Sequence, residues 1–580
     1  MTIETLKSYS KNEKKRKDYS KKPRIFAITM KNAILSVVFL ILGLGVFAQG
    51  QDVFEQAENQ CPSLPKGLLR AVSFTNTQCH HLTDADYFAD PDDPQSMPRA
   101  YGMMGLVKDG KGCFRENLKT VAELSGISEE ALLGDPLANV LAYAKACVKV
   151  ASLLGVDSDR VEEYGPVIEY LSELPKDDPK DELPMRMMLY SVFRQLDVDL
   201  PAMFGEDYAL LSGQAVSISK ETDYPLAIWN PAAECNYEER TKEVSAVVIH
   251  YTEGSYAGCI AWFQNCDSEV SAHYVIRSFD GQVTQMVREC DKAWHAGSAN
   301  GYTIGVEHEA YGDIISFFTE AMYASSADLI RDICSRYETI DGHRTFYFDT
   351  LDNGMALNTG LHDLGGEGAC VRIRGHQHYP NQTHTDPGPY WNWNYYYKLI
   401  NQADPVEYID AVTVEEGTLN HLDYGDDERF IWVIRGMENS LIQLNFSNFD
   451  LETDYDFLWI YDGDDVYARK IGRWNTQSPD VVRSSGNAIC VEFRSDCLTT
   501  AEGWQASWKV LHFGTELEEQ EPETPSFYEV QVFDMTGRCL IHKRFGKVEE
   551  VDLNVLPRGT YLLRAVRSND GKVEVKRIIR

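Results

Sequence analysis

The spacing of apolar residues in this 580-residue chain changes period along its length, and that change rules out a single repeating architecture. Over residues 50–205 apolar side chains recur at three-to-four spacing, most clearly in Asn117–Leu124 and Leu137–Leu154, so this stretch reads as helical. Asp135 followed by Pro136 gives the second of these helices its start: a carboxylate accepts from orphan N–H groups, and proline suits the first helical position. Between 244 and 310 the pattern switches to short β-type runs, Ala246–His250 and His273–Arg277, separated by glycine-containing turns. A helix is expected over Thr319–Tyr337. Residues 406–512 are rich in β-branched and aromatic types with turns at short intervals, which predicts a β-sandwich. An acidic, proline-containing linker follows at 513–526, and 527–580 reads as one last small β unit. At about 100–200 residues per domain, several domains are expected, and no internal repeat joins them.

Charge divides the chain in two. Its formal net charge of -34 repels a phosphate backbone and argues against nucleic acid as a partner. Residues 1–48 are the exception, with ten Lys/Arg against three Asp/Glu. Behind that basic stretch runs Ile34–Phe47, fourteen residues that are too short for a membrane span of about 20. Small residues around Val46–Ala48 suit a signal peptidase, so 1–48 reads as a leader with a signal peptide cut near Ala48. Met30 is an alternative start, and an uncleaved anchor helix is the alternative fate. The expectation is a secreted or cell-surface chain, exported through the periplasm, with no stable transmembrane segment in its mature form. Twelve of the thirteen cysteines lie between Cys61 and Cys497, an even number compatible with disulfides in an oxidising compartment. Cys259–Cys266 and Cys490–Cys497 are the expected local pairs.

The strongest constellation spans His250 to Asp386. His250 ends an apolar strand before a glycine loop, which can project its imidazole into a cleft. His376 follows Gly375 far downstream, and Asp386 comes ten residues later. Two imidazoles and a carboxylate make a three-ligand set for Zn²⁺ with a fourth position open. Such a metal polarises a carbonyl and activates water, as amide hydrolysis requires.

Around these residues the chain resembles the zinc amidase family that includes N-acetylmuramoyl-L-alanine amidases, amidase-type phage lysozymes and peptidoglycan recognition proteins. The resemblance rests on Val247–Thr252, Ser271–Ile276, Asp280–Gly281, Trp294–Gly297, Ile304–Glu307, Gly375–His376 and His384–Gly388, in family order and spacing. It implies an α/β domain over 206–404, a mixed central sheet flanked by helices. It places His250, His376 and Asp386 on the metal ligands, Glu307 on the general base and His384 on the group that steadies the oxyanion. Ala272 stands where phage-type relatives carry a tyrosine, which fits Glu307 as base. Trp294, His295 and His273 are expected to shape the substrate-binding cleft, and His308 and His378 to be neighbours without a role.

Three further resemblances complete the reading. Leu64–Thr77 with Ala100–Leu106 is similar to the lysozyme-like fold of lytic transglycosylases. Asn76 stands where that family has its glutamate, and an amide cannot donate a proton, so 50–205 reads as a degenerate lysozyme-like, glycan-binding domain. Residues 406–512 resemble a CUB domain through Trp432–Ile434, Tyr455–Gly463 and Gly503–Ala506. That resemblance implies a Ca²⁺ site at Glu452, Asp456 and Asp496, whose hard oxygens suit that ion. Residues 527–580 resemble the type IX secretion sorting domain, implying a small β-sandwich and the type IX secretion machinery as a partner. Together these imply zinc-dependent hydrolysis of the N-acetylmuramic acid–L-alanine amide in peptidoglycan or muropeptides. A non-catalytic peptidoglycan-binding surface adhesin is the alternative, and an amidase acting on anhydro-muropeptides a weaker one. The cell's own wall and foreign wall remain alternative targets.

Overall fold

A computed structural model describes residues 52–88, 90–156, 160–212, 222–312, 314–347, 363–512, 528–533, 539–545, 556, 560–567 and 573–579. The leader at 1–48 and the linker at 513–526 lie outside these residues.

The N-terminal unit is helical, as its apolar period requires. Its principal helices are α1 (Leu68–Thr77), α2 (Pro136–Leu154) and α3 (Glu182–Phe193). Helix α2 starts where expected: the Asp135 carboxylate accepts from the N–H groups of Leu137 and Ala138 at 2.8 and 3.3 Å. It stops at Gly155, whose φ of 71° is the left-handed cap that glycine adopts without cost. This helix is long and apolar enough by composition to cross a membrane, but it forms the centre of the unit, burying Val140, Tyr143, Cys147 and Val150. Helical structure continues past 205. A short helix at Tyr208–Leu211 buries Leu211.

The α/β unit is built on six strands: β1 (Ile228–Trp229), β2 (Ala246–Ile249), β3 (Tyr274–Ile276), β4 (Val283–Gln285), β5 (Thr303–His308) and β6 (Ile373–Gly375). Their order is β6-β2-β5-β3-β4-β1. The β6-β2, β2-β5, β5-β3 and β4-β1 pairs are parallel and β3-β4 is antiparallel, giving the expected mixed sheet. Alternate residues face opposite sides. Val247, Ile249, Ile304 and Val306 turn to one face, where α5 (Glu320–Arg336) and α6 (Trp393–Ile400) cover them. The other face meets α4 (Tyr256–Phe263), in which all eight residues are buried.

A helix apolar all round must be covered on every side. Helix α4 achieves this between the sheet and α3, and its residues belong to one continuous apolar cluster with those of α1, α2 and α3. The helical and α/β units therefore share a core and do not form two separately packed domains.

Residues 406–512 form the expected β-sandwich. Its two antiparallel-rich layers have five and four strands, with Leu458, Ile460, Val491, Trp504 and Trp508 between them. The outer face of the five-stranded layer is also covered. Tyr397 of α6 and Tyr347 pack on Ile431, Val433, Phe457 and Trp459. Lys398 of α6 donates to the Val466 carbonyl at 2.7 Å, and Cys370 is bonded to Cys497 across the same junction.

Beyond the linker, the described strands form a single four-stranded antiparallel sheet with Val530, Val532, Leu563 and Ala565 on its buried face. The second layer of the expected small β-sandwich is not among the described residues.

The disulfides differ from the expected local pairs. Cys235 bonds Cys266, and Cys370 bonds Cys497. Cys259 points into the core from the middle of α4, while Cys266 lies on an exposed turn, so helix geometry separates them. Cys490 faces the α6 junction from within its strand, out of reach of the loop that carries Cys497.

Candidate metal centre and its cleft

Strand register assembles the centre. Ile249 pairs with Gly375 on one side and with Val306 on the other. One residue further on, Glu307 lies opposite His250, whose N–H bonds the Val306 carbonyl and whose carbonyl accepts from the His308 N–H, and both share the parity of Val248. His376 follows Gly375 directly and opens a short 3-10 turn at the end of β6. Asp386 reaches them from the loop before α6. His250 Nδ1 is 2.7 Å from Asp386 Oδ2, and His376 Nδ1 is 3.1 Å from Asp386 Oδ1. One donor atom from each of the three residues lies within 4.8 Å of the others.

The remaining ring atoms are also held. His250 Nε2 lies 3.0 Å from His295 Nδ1, and His376 Nε2 lies 2.7 Å from Gln382 Oε1. Two glycines make room for this. A side chain at Gly305 would meet the His295 ring at 2.6 Å, and one at Gly375 would meet Pro387 at 2.5 Å. From below, His308 Nδ1 lies 2.8 Å from the His250 carbonyl and its Nε2 lies 2.8 Å from the Ser326 hydroxyl. His378 accepts from the Gly375 N–H at 3.1 Å. The two histidines expected to be idle therefore brace the strands that carry the metal-site imidazoles.

Burial sets the charge states. It pushes His250 down to about 4 despite the Asp386 carboxylate, which keeps the ring neutral, the form that binds metal. Burial works against the charge on Asp386, but the flanking His376 and His250 hold its carboxyl well below the usual range. Burial, then the nearby Asp386 charge, raises Glu307 well above an ordinary carboxyl. Glu307 Oε2 is buried without a hydrogen-bond partner.

These observations fit a zinc ion. The set is borderline-soft nitrogen plus carboxylate, the second ring nitrogens are anchored, and a fourth side is open to a cavity of about 630 Å³. Glu307, His384, His295 and Trp294 line that cavity. The His384 ring stacks on His376 at 5.0 Å and 8°.

His273 is a correction. It does not line the cavity; it is fully buried, accepting from the Gly305 N–H at 3.0 Å with Nε2 2.8 Å from the Arg240 guanidinium. It lies on the same face as Glu307 but behind the His295 ring, at 5.7 Å between ring centroids, so it braces β5 instead of meeting substrate. Sequence reasoning also missed Gln382, which has no motif to mark it.

In the β-sandwich, Glu452, Asp456 and Asp496 likewise bring one oxygen each within 4.8 Å of the others. Burial and the neighbouring acids push Glu452 up to about 7 and Asp456 up to about 6. In the N-terminal unit, Asn76 donates to the Met104 carbonyl at 2.9 Å, tying α1 to the following loop. The opposite wall of the metal-site cavity also comes from this unit, through Asp90, Asp93, Ser96 and Met97, which sequence reasoning did not connect with the site.

A family model described as N-acetylmuramoyl-L-alanine amidase matches residues 240–389, and a CUB domain model matches 411–508. N-acetylmuramoyl-L-alanine amidase A of Achromobacter lyticus is 43% identical over 180 residues, which are 31% of this chain and 96% of that protein. Human cubilin is 26% identical over 136 residues, 23% of this chain but 4% of cubilin, so the chain spans a small fraction of that relative. A solved structure of Staphylococcus aureus hydrolase AmiA in complex with its ligand is 15% identical, covering 28% of this chain and 77% of that one at a TM-score of 0.21.

Proposed function

This chain belongs to the N-acetylmuramoyl-L-alanine amidase family, and from that premise we propose that it is a zinc enzyme cleaving the amide between N-acetylmuramic acid and L-alanine. The observation that carries the proposal is the convergence of His250, His376 and Asp386 on one point, with Glu307 opposite His250 on the neighbouring strand.

His250 and His376 would hold the ion through Nδ1 and Asp386 through a carboxylate oxygen. Zinc, when bound, supplies a Lewis acid for the lactyl carbonyl and acidifies water. Glu307 accepts the proton of the attacking water as its oxygen bonds to the carbonyl carbon. Near a dication the carboxyl favours its charged form and can accept that proton. The same group then returns the proton to the leaving amine of L-alanine as the C–N bond breaks. His384 steadies the negative charge that develops on the carbonyl oxygen. The test is direct: purified chain is incubated with muropeptides and free stem peptides are sought by mass. Glu307→Ala should keep its zinc and release almost none. Wild-type protein that holds zinc and leaves muropeptides intact would make the chain a binding protein.

Two further assignments belong to this reading. Glu452, Asp456 and Asp496 hold Ca²⁺ in the CUB domain, supported by the convergence of three hard oxygens. The chain works outside the cell, supported by the basic and apolar leader, the sorting-domain resemblance of 527–580 and the two disulfides, which persist in oxidising surroundings. N-terminal sequencing and mass of the protein recovered from medium and cell surface test this; an intact chain retained in cytosol would reject it.

A further inference from the structure

We propose that His295, set by Thr303, is a positioning residue of the metal centre: it accepts from the Nε2–H of His250 and so leaves Nδ1 as the nitrogen that meets the ion. This rests on the zinc reading above and reassigns a residue expected among the substrate contacts.

The direction of each hydrogen bond follows from one fixed end. The Ala299 carbonyl can only accept, so the Thr303 hydroxyl, 2.8 Å away, donates to it. With its one proton committed, the same hydroxyl oxygen accepts from His295 Nε2 at 3.3 Å. A neutral imidazole that donates through Nε2 carries a bare lone pair on Nδ1. That lone pair faces His250 Nε2 at 3.0 Å, so His250 donates and its own Nδ1 is bare. This bare nitrogen is the one that lies 2.7 Å from Asp386 Oδ2. Two acceptors so placed are satisfied together by a cation that both can bind.

One loop holds the chain of contacts in place. Thr303 is buried at the start of β5. Asn300 Oδ1 accepts from the N–H groups of His295 and Ala296 at 3.1 and 2.6 Å, which closes the loop over 295–300. The Arg240 guanidinium donates to the carbonyls of Asn300 and Thr303 at 3.1 and 2.9 Å. From the same loop the Ala296 carbonyl accepts from Gln382, the partner of His376. The loop therefore orients both metal-site imidazoles. His295 lines the cavity, but His250 occupies one of its ring nitrogens and Thr303 the other, so neither is left for a substrate.

The test separates metal from substrate. Zinc affinity of the full-length chain is measured by competition with a chromogenic chelator. Muropeptide affinity is measured by titrating zinc-saturated protein that carries Glu307→Gln. His295→Leu should weaken zinc binding about 10–100-fold. Thr303→Val keeps the shape, removes the hydroxyl and should weaken it about tenfold. The double variant should be no worse than His295→Leu alone, because both act through the same nitrogen. His295→Asn, whose Oδ1 can stand in for Nδ1, should restore most of the affinity. Thermal unfolding of the metal-free proteins checks that each variant folds. Unchanged zinc affinity in His295→Leu or Thr303→Val overturns the proposal, as do additive losses in the double variant. Weakened muropeptide binding by zinc-saturated His295→Leu would return the residue to the substrate contacts and overturn it too. If His295→Leu does not fold, Thr303→Val decides alone. Failure of zinc-loaded wild type to release stem peptides would instead reject the amidase reading and leave these affinity differences standing.

Discussion

His376 and Gln382 are joined ring to amide, with Nε2 2.7 Å from Oε1, and this contact fixes which nitrogen of His376 faces Asp386. Gln382 is itself fixed, donating to the Ala296 carbonyl at 3.1 Å. A partner on the far nitrogen of a metal-binding imidazole sets its tautomer, and its loss costs about 10–100-fold in affinity. Gln382→Ala should weaken zinc binding by that factor in competition with a chromogenic chelator, with little change in thermal stability of the metal-free protein. Unchanged zinc affinity would mean that the contact only packs the loop.

Glu307 is the second case. Its carboxyl lies in register with His250, Oε2 has no partner, and burial and Asp386 raise its affinity for a proton. Replacing it with glutamine keeps the shape and removes the base. We expect kcat to fall about 10²–10⁴-fold while zinc content stays stoichiometric. A variant that keeps more than a tenth of wild-type turnover would move the base elsewhere.

Much of this centre was legible in the sequence, for a physical reason. His250 sits one residue past an apolar strand and His376 one residue past a short buried one, and the two strands pair in parallel with their ends aligned. Asp135 and Pro136 announced α2 because capping is local chemistry. What stayed hidden depends on distant contacts. The Asp90–Met97 wall is a polar loop without periodicity, and its place is set by distant partners such as Trp262, which donates to the Gln95 carbonyl, and Glu253, which accepts from the Phe88 N–H. His273 shares its type, neighbourhood and strand face with the site residues, yet it lies behind the His295 ring, with its nitrogens held by the Gly305 N–H and Arg240. The partners of Cys266 and Cys497 were misjudged because nearness in sequence says little when a helix or strand fixes the direction of the side chain.

Calcium should stabilise the CUB domain and leave zinc chemistry alone. Asp456 is anchored, accepting from the Asp496 N–H at 2.8 Å and from the Tyr424 hydroxyl, so the oxygens are placed before any ion arrives. A ligand bound only by the folded form adds about 2.7 kcal/mol at one hundred times its dissociation constant. Differential scanning calorimetry with millimolar Ca²⁺ against EGTA should show an upward shift in wild type. Glu452→Gln should lose most of it, and Gln382→Ala should keep it. A shift of equal size in Glu452→Gln would place calcium elsewhere.

Alkaline pH should loosen the junction between the amidase and CUB domains. His343 Nε2 lies 3.1 Å from Asp404 and Nδ1 3.3 Å from Asp341, and Asp404 also accepts from Arg429 of the sandwich at 3.0 Å. Burial opposes the charge on His343, but the two carboxylates outweigh it and push the imidazole up to about 9. Its value in the unfolded chain is about 6.5, so the folded form binds the proton more tightly. The resulting stability is complete below about pH 6.5 and disappears as pH rises through about 9. Because a quarter of the side chain meets solvent, screening reduces the contribution to about 1–2 kcal/mol. Denaturant unfolding of wild type and His343→Gln at pH 6 and pH 10 should therefore differ by that amount at the lower pH and converge at the higher. A gap that stays constant across the range would assign His343 to packing and remove the imidazolium from the junction.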